Sequence, residues 1–212
     1  MLLSEYRTRV RRLLNDAQGN YWTNPELDAY VNEAREKTAI DTACVRSFQL
    51  GTLLTNIDKY LFRDIVPNGA KTIDILGVQP IFGNTRYSLR WYDYTYLTAF
   101  YRPWTQYRQL PVAFSIYGPN ILYIAPAPNV DYPLTEFDTA IVPDQLVNDN
   151  TPDIIPEPYT DAVKYYAARL AKLRMQQYEE ALAFDKLYTQ RTNELNAMYP
   201  RRIHNIYEQD FD

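Results

Sequence analysis

The chain is poor in the residue types that most often build catalytic centres. Its 212 residues include one cysteine, Cys44, one histidine, His204, and six glycines. A single cysteine excludes an intrachain disulfide framework, and one cysteine with one histidine supplies too few ligands for a zinc site. No GxGxxG sequence occurs and no glycine precedes a lysine, so the usual phosphate-binding loops are absent. The sequence therefore predicts no cofactor and no metal.

Long apolar runs are also missing. No run approaches the roughly eighteen apolar residues that mark a membrane span, and the opening stretch MLLSEYRTRVRR lacks the apolar core of a signal peptide. The net charge of −4 gives no electrostatic reason to expect a nucleic-acid or anionic-membrane partner. These observations predict a cytosolic protein that does not contact membranes.

Paired carboxylates are the one enzymatic chemistry that residue type leaves open, because a glycosidase needs only two acidic side chains at the right separation. The candidates Glu179, Glu180 and Asp185 lie in a stretch that is otherwise rich in charge, and the ordinary interpretation of such a stretch is a solvated helix face. A Ser-His-Asp arrangement would depend on His204, which lies in a segment with little to hold its geometry. We therefore expect a protein that is not an enzyme.

A first amphipathic helix is predicted near residues 3–18. Its apolar residues recur at spacings of three and four, and Gly19 follows them, as glycine does at many helix ends. Arginines fill much of the remaining surface and are interpreted as a solvated face, with the docking of an acidic partner as the alternative. Arg7 and Arg11 are the candidate contacts with another subunit or a tail protein.

A second helix is predicted over residues 24–45. Thr23 and Glu26 have the spacing of a capping box, in which two side chains satisfy the free backbone N–H groups at the start of a helix. Tyr21 and Trp22 precede this cap, and we expect them to pack against the entry to the helix.

From residue 48 the helical spacing gives way to short β-branched and aromatic runs, which predict strands. The runs are KTIDILGV, TRYSLRWY, VAFSIYG, ILYIAPA and LTEFDTAIV. FSIYGPNILYI is predicted to be a hairpin, and DYTYLTAFYR a short helix crossing the sheet. Trp91, Tyr94, Arg102 and Trp104 are further candidates for subunit or tail contacts, because aromatic residues and arginine are favoured at interfaces.

The stretch 160–198 contains neither glycine nor proline and keeps helical spacing throughout. As one helix it would be about 57 Å long, which is more than this domain can cover. We therefore expect part of it to project, to break or to pack against another subunit.

The sequence as a whole predicts an α+β fold. It consists of a helical bundle with a long C-terminal helix, an inserted antiparallel β module and an extended C-terminal arm. The segments are the N-terminal bundle helices (1–47), the β module (48–145), a linker (146–158), the long bundle helix (159–198) and the arm (199–212).

The arm combines charge with large apolar side chains, which are unusual in disordered ends. Such a segment is suited to docking in a groove or along a sheet edge of a partner. The predicted partner-binding residues are Arg201, Arg202, Ile203, Ile206, Tyr207 and Phe211.

Three segments in this order resemble the head-to-tail adaptor, or connector, proteins of tailed bacteriophages. They are WTNPELDAYVNEAREKTAIDTACVR, then LPVAFSIYGPNILYIAPAPNVDY, then IPEPYTDAVKYYAARLAKLRMQQYEEALAFDKLY. The similarity extends over about residues 20 to 190 and rests on order and spacing, without a catalytic signature.

The resemblance implies a virion structural protein of the neck, assembled in the host cytoplasm. Adaptors of this kind form a ring, commonly a dodecamer, beneath the portal. The ring extends the DNA channel and offers an attachment surface to tail or nozzle proteins. On this chain the helices would form the ring, and the arm would dock on the portal. Another neck component such as a stopper remains the alternative within the same class, and a carboxylate-dependent cell-envelope hydrolase the alternative from another.

Overall fold

A computed structural model describes residues 1–100 and 107–200. The chain divides into two compact units, and the predicted α+β class is confirmed. The helical unit comprises Met1–Val45 and Val142–Asp212, and the β unit comprises Arg46–Ile141.

The helices of the described residues fall into two groups by length. Four long helices belong to the helical unit, and two short ones belong to the β unit. They are α1 (Leu3–Leu13), α2 (Asn24–Thr42), α3 (Phe62–Ile65), α4 (Tyr94–Phe100), α5 (Glu157–Arg174) and α6 (Tyr178–Met198), with a short 3-10 turn at Gly69–Lys71.

The start of α2 has the cap that the sequence predicts. The Glu26 carboxylate accepts hydrogen bonds from the backbone N–H of Thr23, at 3.1 Å, and from its hydroxyl, at 2.8 Å. Trp22 is buried and meets the Tyr30 ring edge to face at 5.8 Å, whereas Tyr21 is 78% exposed. Of the two aromatic residues before the cap, only Trp22 therefore packs as expected.

Both N-terminal helices end earlier than the sequence suggests. The first ends at Leu13 instead of near residue 18, and the second ends at Thr42 instead of residue 45. Ala43 follows α2 with a φ of +51°, the left-handed conformation that commonly closes a helix.

The stretch 160–198 is not one helix, because a turn at residues 175–177 divides it into α5 and α6. Gln176 has a φ of +59° and reverses the chain. Arg169 then pairs with Asp185 at 2.8 Å, and the rings of Tyr166 and Tyr188 lie 5.0 Å apart. The two helices are thus antiparallel and cover each other. Of the three outcomes expected for this stretch, the structure shows the break.

A four-helix arrangement forms the core of the helical unit. The helix α2 packs against α1, α5 and α6, and α1 also packs against α5. Each contributes small or branched side chains that are fully buried, and these fill the space between the helices. They include Leu3, Val10, Leu27, Val31, Ala34, Ala162, Val163 and Ala167.

The described strands of the β unit form two four-stranded sheets and one short pair. They are β1 (Arg46–Leu53), β2 (Lys59–Leu61), β3 (Thr72–Phe82), β4 (Thr85–Arg86), β5 (Arg90–Trp91), β6 (Arg108–Gln109), β7 (Ala113–Tyr117), β8 (Ile121–Ala125), β9 (Ala127–Pro128) and β10 (Tyr132–Ile141).

The first sheet has the order β1-β10-β3-β4 and is antiparallel throughout. The second has the order β2-β8-β7-β5, with a parallel contact between β5 and β7. The short pair β6-β9 is parallel as well. Both sheets contribute buried side chains to one apolar cluster, which includes Leu53, Ile75, Val78, Phe114, Leu122, Ile124 and Phe137.

The predicted hairpin is confirmed. Tyr117 at the end of β7 pairs with Ile121 at the start of β8, and Gly118 opens the turn with a φ of +65°. The predicted short helix corresponds to α4, whose Leu97 packs against Ala113 of the second sheet. The strand β1 was not among the predicted strands.

Candidate functional site

The two arginines proposed as partner contacts on α1 make ion pairs within the subunit. Arg7 donates two hydrogen bonds to the Asp28 carboxylate of α2, through Nε and through Nη2 at 2.7 Å. Its Nη1 lies 2.7 Å from Asp149. The Arg7 side chain is 13% exposed, so the interpretation as a solvated face does not hold for it.

Arg11 organises the loop between α1 and α2. It donates to Asp16 at 2.9 Å, to the Trp22 carbonyl at 2.7 Å and to Asn24 at 3.0 Å. Asp16 in turn accepts the backbone N–H groups of residues 20–22. Burial acts to raise the pKa of Asp16, but these N–H donors and Arg11 outweigh it and lower the pKa. A contact of Arg7 or Arg11 with another chain stays a prediction.

Residues 142–156, here called the return segment, bring the chain from the β unit back to α5. Most of this segment lies within the predicted linker, but side chains of α1 and α2 hold it. Asn32 donates to the Leu146 carbonyl at 3.1 Å and accepts its backbone N–H at 2.8 Å. Leu146 and Ile155 are buried. The segment is therefore a packed part of the helical unit.

A buried charge pair fixes the end of the return segment. Arg35 donates to Asp153 through Nε at 3.0 Å and through Nη2 at 2.6 Å. The Arg35 and Asp153 side chains are 2% and 0% exposed. Tyr6 also donates to Asp153, at 2.8 Å, and Arg35 reaches the Asp144 carbonyl at 2.7 Å. Burial and the Asp153 charge raise the pKa of the Tyr6 hydroxyl, which remains the donor.

Trp91 and Tyr94, proposed as contacts in the β unit, each lie among other aromatic side chains of that unit. Trp91 is half-buried and packs against the shared core. The centroid of the Tyr94 ring lies 4.6 Å from that of Tyr117 and 4.9 Å from that of Tyr123. Burial, together with a hydrogen bond with Tyr123, raises the pKa of Tyr94. The exposed rim of this group is Tyr117, at 52%.

The outward face of the first sheet carries apolar side chains that the sequence analysis missed. Phe48 and Leu50 of β1 are 67% and 56% exposed, and Leu134 of β10 is 53% exposed. Phe48 is paired with Asp138, and Leu50 with Glu136. The alternation of apolar and polar residues along β1 could have predicted this strand. It would also have predicted, wrongly, that Phe48 and Leu50 are buried.

Asp138 and Glu136 give this face a local charge. Burial and the neighbouring Glu136 carboxylate raise the pKa of Asp138, and the Arg46 guanidinium acts in the opposite direction. Glu136 lies 2.8 Å from Arg86 of β4. The carboxylates of the face are thus set among cationic neighbours.

The remaining predicted contact residues lie outside the described residues. These are Arg102, Trp104 and the arm residues Arg201, Arg202, Ile203, Ile206, Tyr207 and Phe211.

The carboxylates considered for hydrolysis belong to the helical hairpin. Asp185 pairs with Arg169, and Glu180 lies 2.7 Å from Lys172. In the described part of the chain, no group of three or more His, Cys, Asp or Glu side chains is arranged to hold a metal ion. None of the helices described has the length and apolar character to cross a membrane.

Comparison with known proteins identifies a protein family. A family model described as SU10 adaptor protein matches residues 1–206. No curated protein matches the chain.

Proposed function

The chain belongs to the SU10 adaptor protein family of phage head-to-tail adaptors, and from this membership we propose how it acts at the head-tail junction. The family places the protein in the virion neck, as a partner of portal and tail proteins. Its members are structural adaptors, which are not a class of enzyme. The family match is the single observation that carries the proposal.

The subunits form a closed ring under the portal, and a dodecamer is the copy number that we propose. Identical head-to-tail contacts between subunits generate a ring when the rotation closes. Exposed apolar side chains on α6 support such a contact, since Tyr178 and Met198 are each 66% exposed and Leu182 is 56% exposed. Assembly takes place in the host cytoplasm.

The ring extends the DNA channel from the portal during packaging and ejection. DNA must slide through such a channel, and clustered cations would retain it. The net charge of −4 favours passage without specific binding.

The segment 199–212 docks on the portal, and aromatic residues of the β unit contact the tail. Tyr199 is 53% exposed at the end of α6, where the arm begins. The arm contributes Arg201, Arg202, Ile203, Ile206, Tyr207 and Phe211. The residues proposed to contact the tail are Trp91, Tyr94, Arg102 and Trp104.

Deletion of residues 200–212 tests the arm. Binding to the purified portal should be lost, while the circular dichroism spectrum and the unfolding midpoint should stay unchanged. The double variant Ile206→Ala/Tyr207→Ala should weaken portal binding by at least about thirtyfold, because buried aromatic anchors dominate interfaces. Tyr21→Ala is the matched control, since Tyr21 is exposed and lies outside the arm.

Unaltered portal binding by the deletion variant would contradict the arm assignment. Electron microscopy of the wild-type chain with and without the portal tests the ring itself. A chain that binds another neck protein, but not the portal, would instead be a stopper.

A further inference from the structure

In the part of the chain that the structure describes, the strand β1 leaves one edge of the first sheet open. Among the described residues β1 pairs only with β10, at one side of the sheet order β1-β10-β3-β4. An open edge presents unpaired backbone N–H and C=O groups and is a template for another strand. Natural edge strands are commonly blocked by charge, and here only Arg46 at the start of β1 is charged.

The middle of this edge strand is apolar and faces outward. Phe48 and Leu50 are 67% and 56% exposed, with Gln49 buried between them. Leu134, 53% exposed, lies on β10 two residues from Glu136, the residue paired with Leu50. An apolar stripe along an open edge combines the two features by which a sheet accepts an added strand.

Contacts on the inner face prevent β1 from turning its apolar side inward. Gln49 donates to the Thr139 hydroxyl at 2.8 Å and accepts the backbone N–H of Asn68 at 2.9 Å. A Cβ atom on Gly51 would lie 2.0 Å from the Ile65 carbonyl oxygen, so no side chain fits there. Because a shift of one residue would exchange the two faces of the strand, these contacts keep Phe48 and Leu50 outside.

We propose that two copies of this chain pair through β1, antiparallel, with the two-fold axis at Gln49. In this register Phe48 faces Leu50 of the second copy, and Leu50 faces its Phe48. The four side chains form one apolar cluster on the outward face, and directly opposed apolar pairs stabilise a sheet. Arg46 faces Thr52 of the second copy, so no like charges are opposed.

The charges of the face favour a second copy over a strongly charged partner. Glu136 is 2.8 Å from Arg86, and burial raises the pKa of Asp138 while the nearby Arg46 guanidinium opposes that effect. The acidic and basic groups of this face thus balance locally, and the apolar side chains of Phe48, Leu50 and Leu134 are exposed beside them. The surface that complements an apolar, charge-balanced strand of this pattern is the same strand.

This contact differs from the contacts of the proposed ring. A two-fold contact uses the same surface of both copies and closes with two, whereas a ring requires two different surfaces on each copy. The pairing is therefore a state of the free chain, which opens before or during ring formation. It does not depend on the adaptor ring being correct.

Sedimentation equilibrium of the full chain without portal tests the pairing. The wild-type chain should show a reversible dimer, and Leu50→Lys should weaken it by at least about thirtyfold, the effect of losing a central interface residue. Val147→Lys is the matched control, because Val147 is 80% exposed and lies in the return segment. A wild-type chain that remains monomeric up to high micromolar concentration would overturn the proposal.

Disulfide trapping tests the register. Chains carrying Phe48→Cys or Leu50→Cys, each with Cys44→Ser, should cross-link when mixed. Each variant alone should not, because only residues directly opposite each other bring their Cα atoms within disulfide range. Equal cross-linking of one variant alone, or none in the mixture, would overturn this register whatever the sedimentation result.

Discussion

At the scale of single residues, Asp153 ties three parts of the helical unit together. It accepts from Arg35 of α2, from Tyr6 of α1 and from the backbone of Ile155 in its own segment. A buried arginine that loses its carboxylate leaves an uncompensated charge. Asp153→Asn is therefore expected to lower the free energy of unfolding by about 3–5 kcal/mol, as measured by urea denaturation.

An exposed ion pair in the same unit provides the control. Arg9 and Asp161 lie 3.8 Å apart with side chains 45% and 38% exposed, and pairs of this kind contribute little. Arg9→Ala should change the free energy of unfolding by less than about 1 kcal/mol. Equal effects of the two substitutions would contradict the importance of the buried pair.

The raised pKa of Asp138 predicts the sign of a pH dependence of stability. Its pKa in the folded chain is raised, mainly by burial, so ionisation of Asp138 destabilises the native state, and stability rises as pH falls through the folded pKa. Asp138→Asn should therefore unfold at a higher temperature than wild type at pH 7. The difference should shrink as the pH falls and the wild-type carboxyl is protonated. Calorimetry at several pH values measures this difference in unfolding temperature. A difference that does not change with pH would contradict the prediction.

At the scale of elements, the break between α5 and α6 depends on one backbone conformation. Gln176 has a φ of +59°, which disfavours any side chain and suits glycine. Gln176→Gly should raise the free energy of unfolding by up to about 1 kcal/mol. The same substitution at Gln190, in the middle of α6, should lower it by about 1 kcal/mol. Chemical denaturation of the two variants checks the opposite signs.

The position of this break was not readable from the sequence. Helical spacing continues through residues 175–177 without glycine or proline, so neither usual signal marks the turn. The capping box of Thr23 and Glu26 and the turn at Gly118 were predictable, because each depends on residues close in sequence. Long-range contacts decide where the continuous pattern stops.

The contact surfaces show the same limit. The residues next to Arg7 in the sequence predict that it lies on a solvated helix face. Its partners Asp28 and Asp149, however, lie far along the chain. In β1 the apolar residues Phe48 and Leu50 face outward, because Gln49 finds two hydrogen-bond partners inside. A local pattern cannot reveal partners that only the fold supplies.

At the scale of the whole molecule, the net charge predicts how weakly the chain binds DNA. Non-specific binding arises from cations that neutralise phosphates, and the net charge is −4. Fluorescence anisotropy with duplex DNA should show no binding at about 0.15 M salt up to roughly 100 µM chain. Affinity that rises steeply as salt is lowered would indicate a cationic surface and contradict a channel without specific binding.

The connection between the two units places both ends of the β unit side by side. Arg46, its first residue, is the register partner of Ala140, next to its last, and such partners have Cα atoms about 5 Å apart. The β unit is thus an insertion whose two ends lie close together. A module of another size, or a turn of a few residues, would close the same gap without altering the path of the helices.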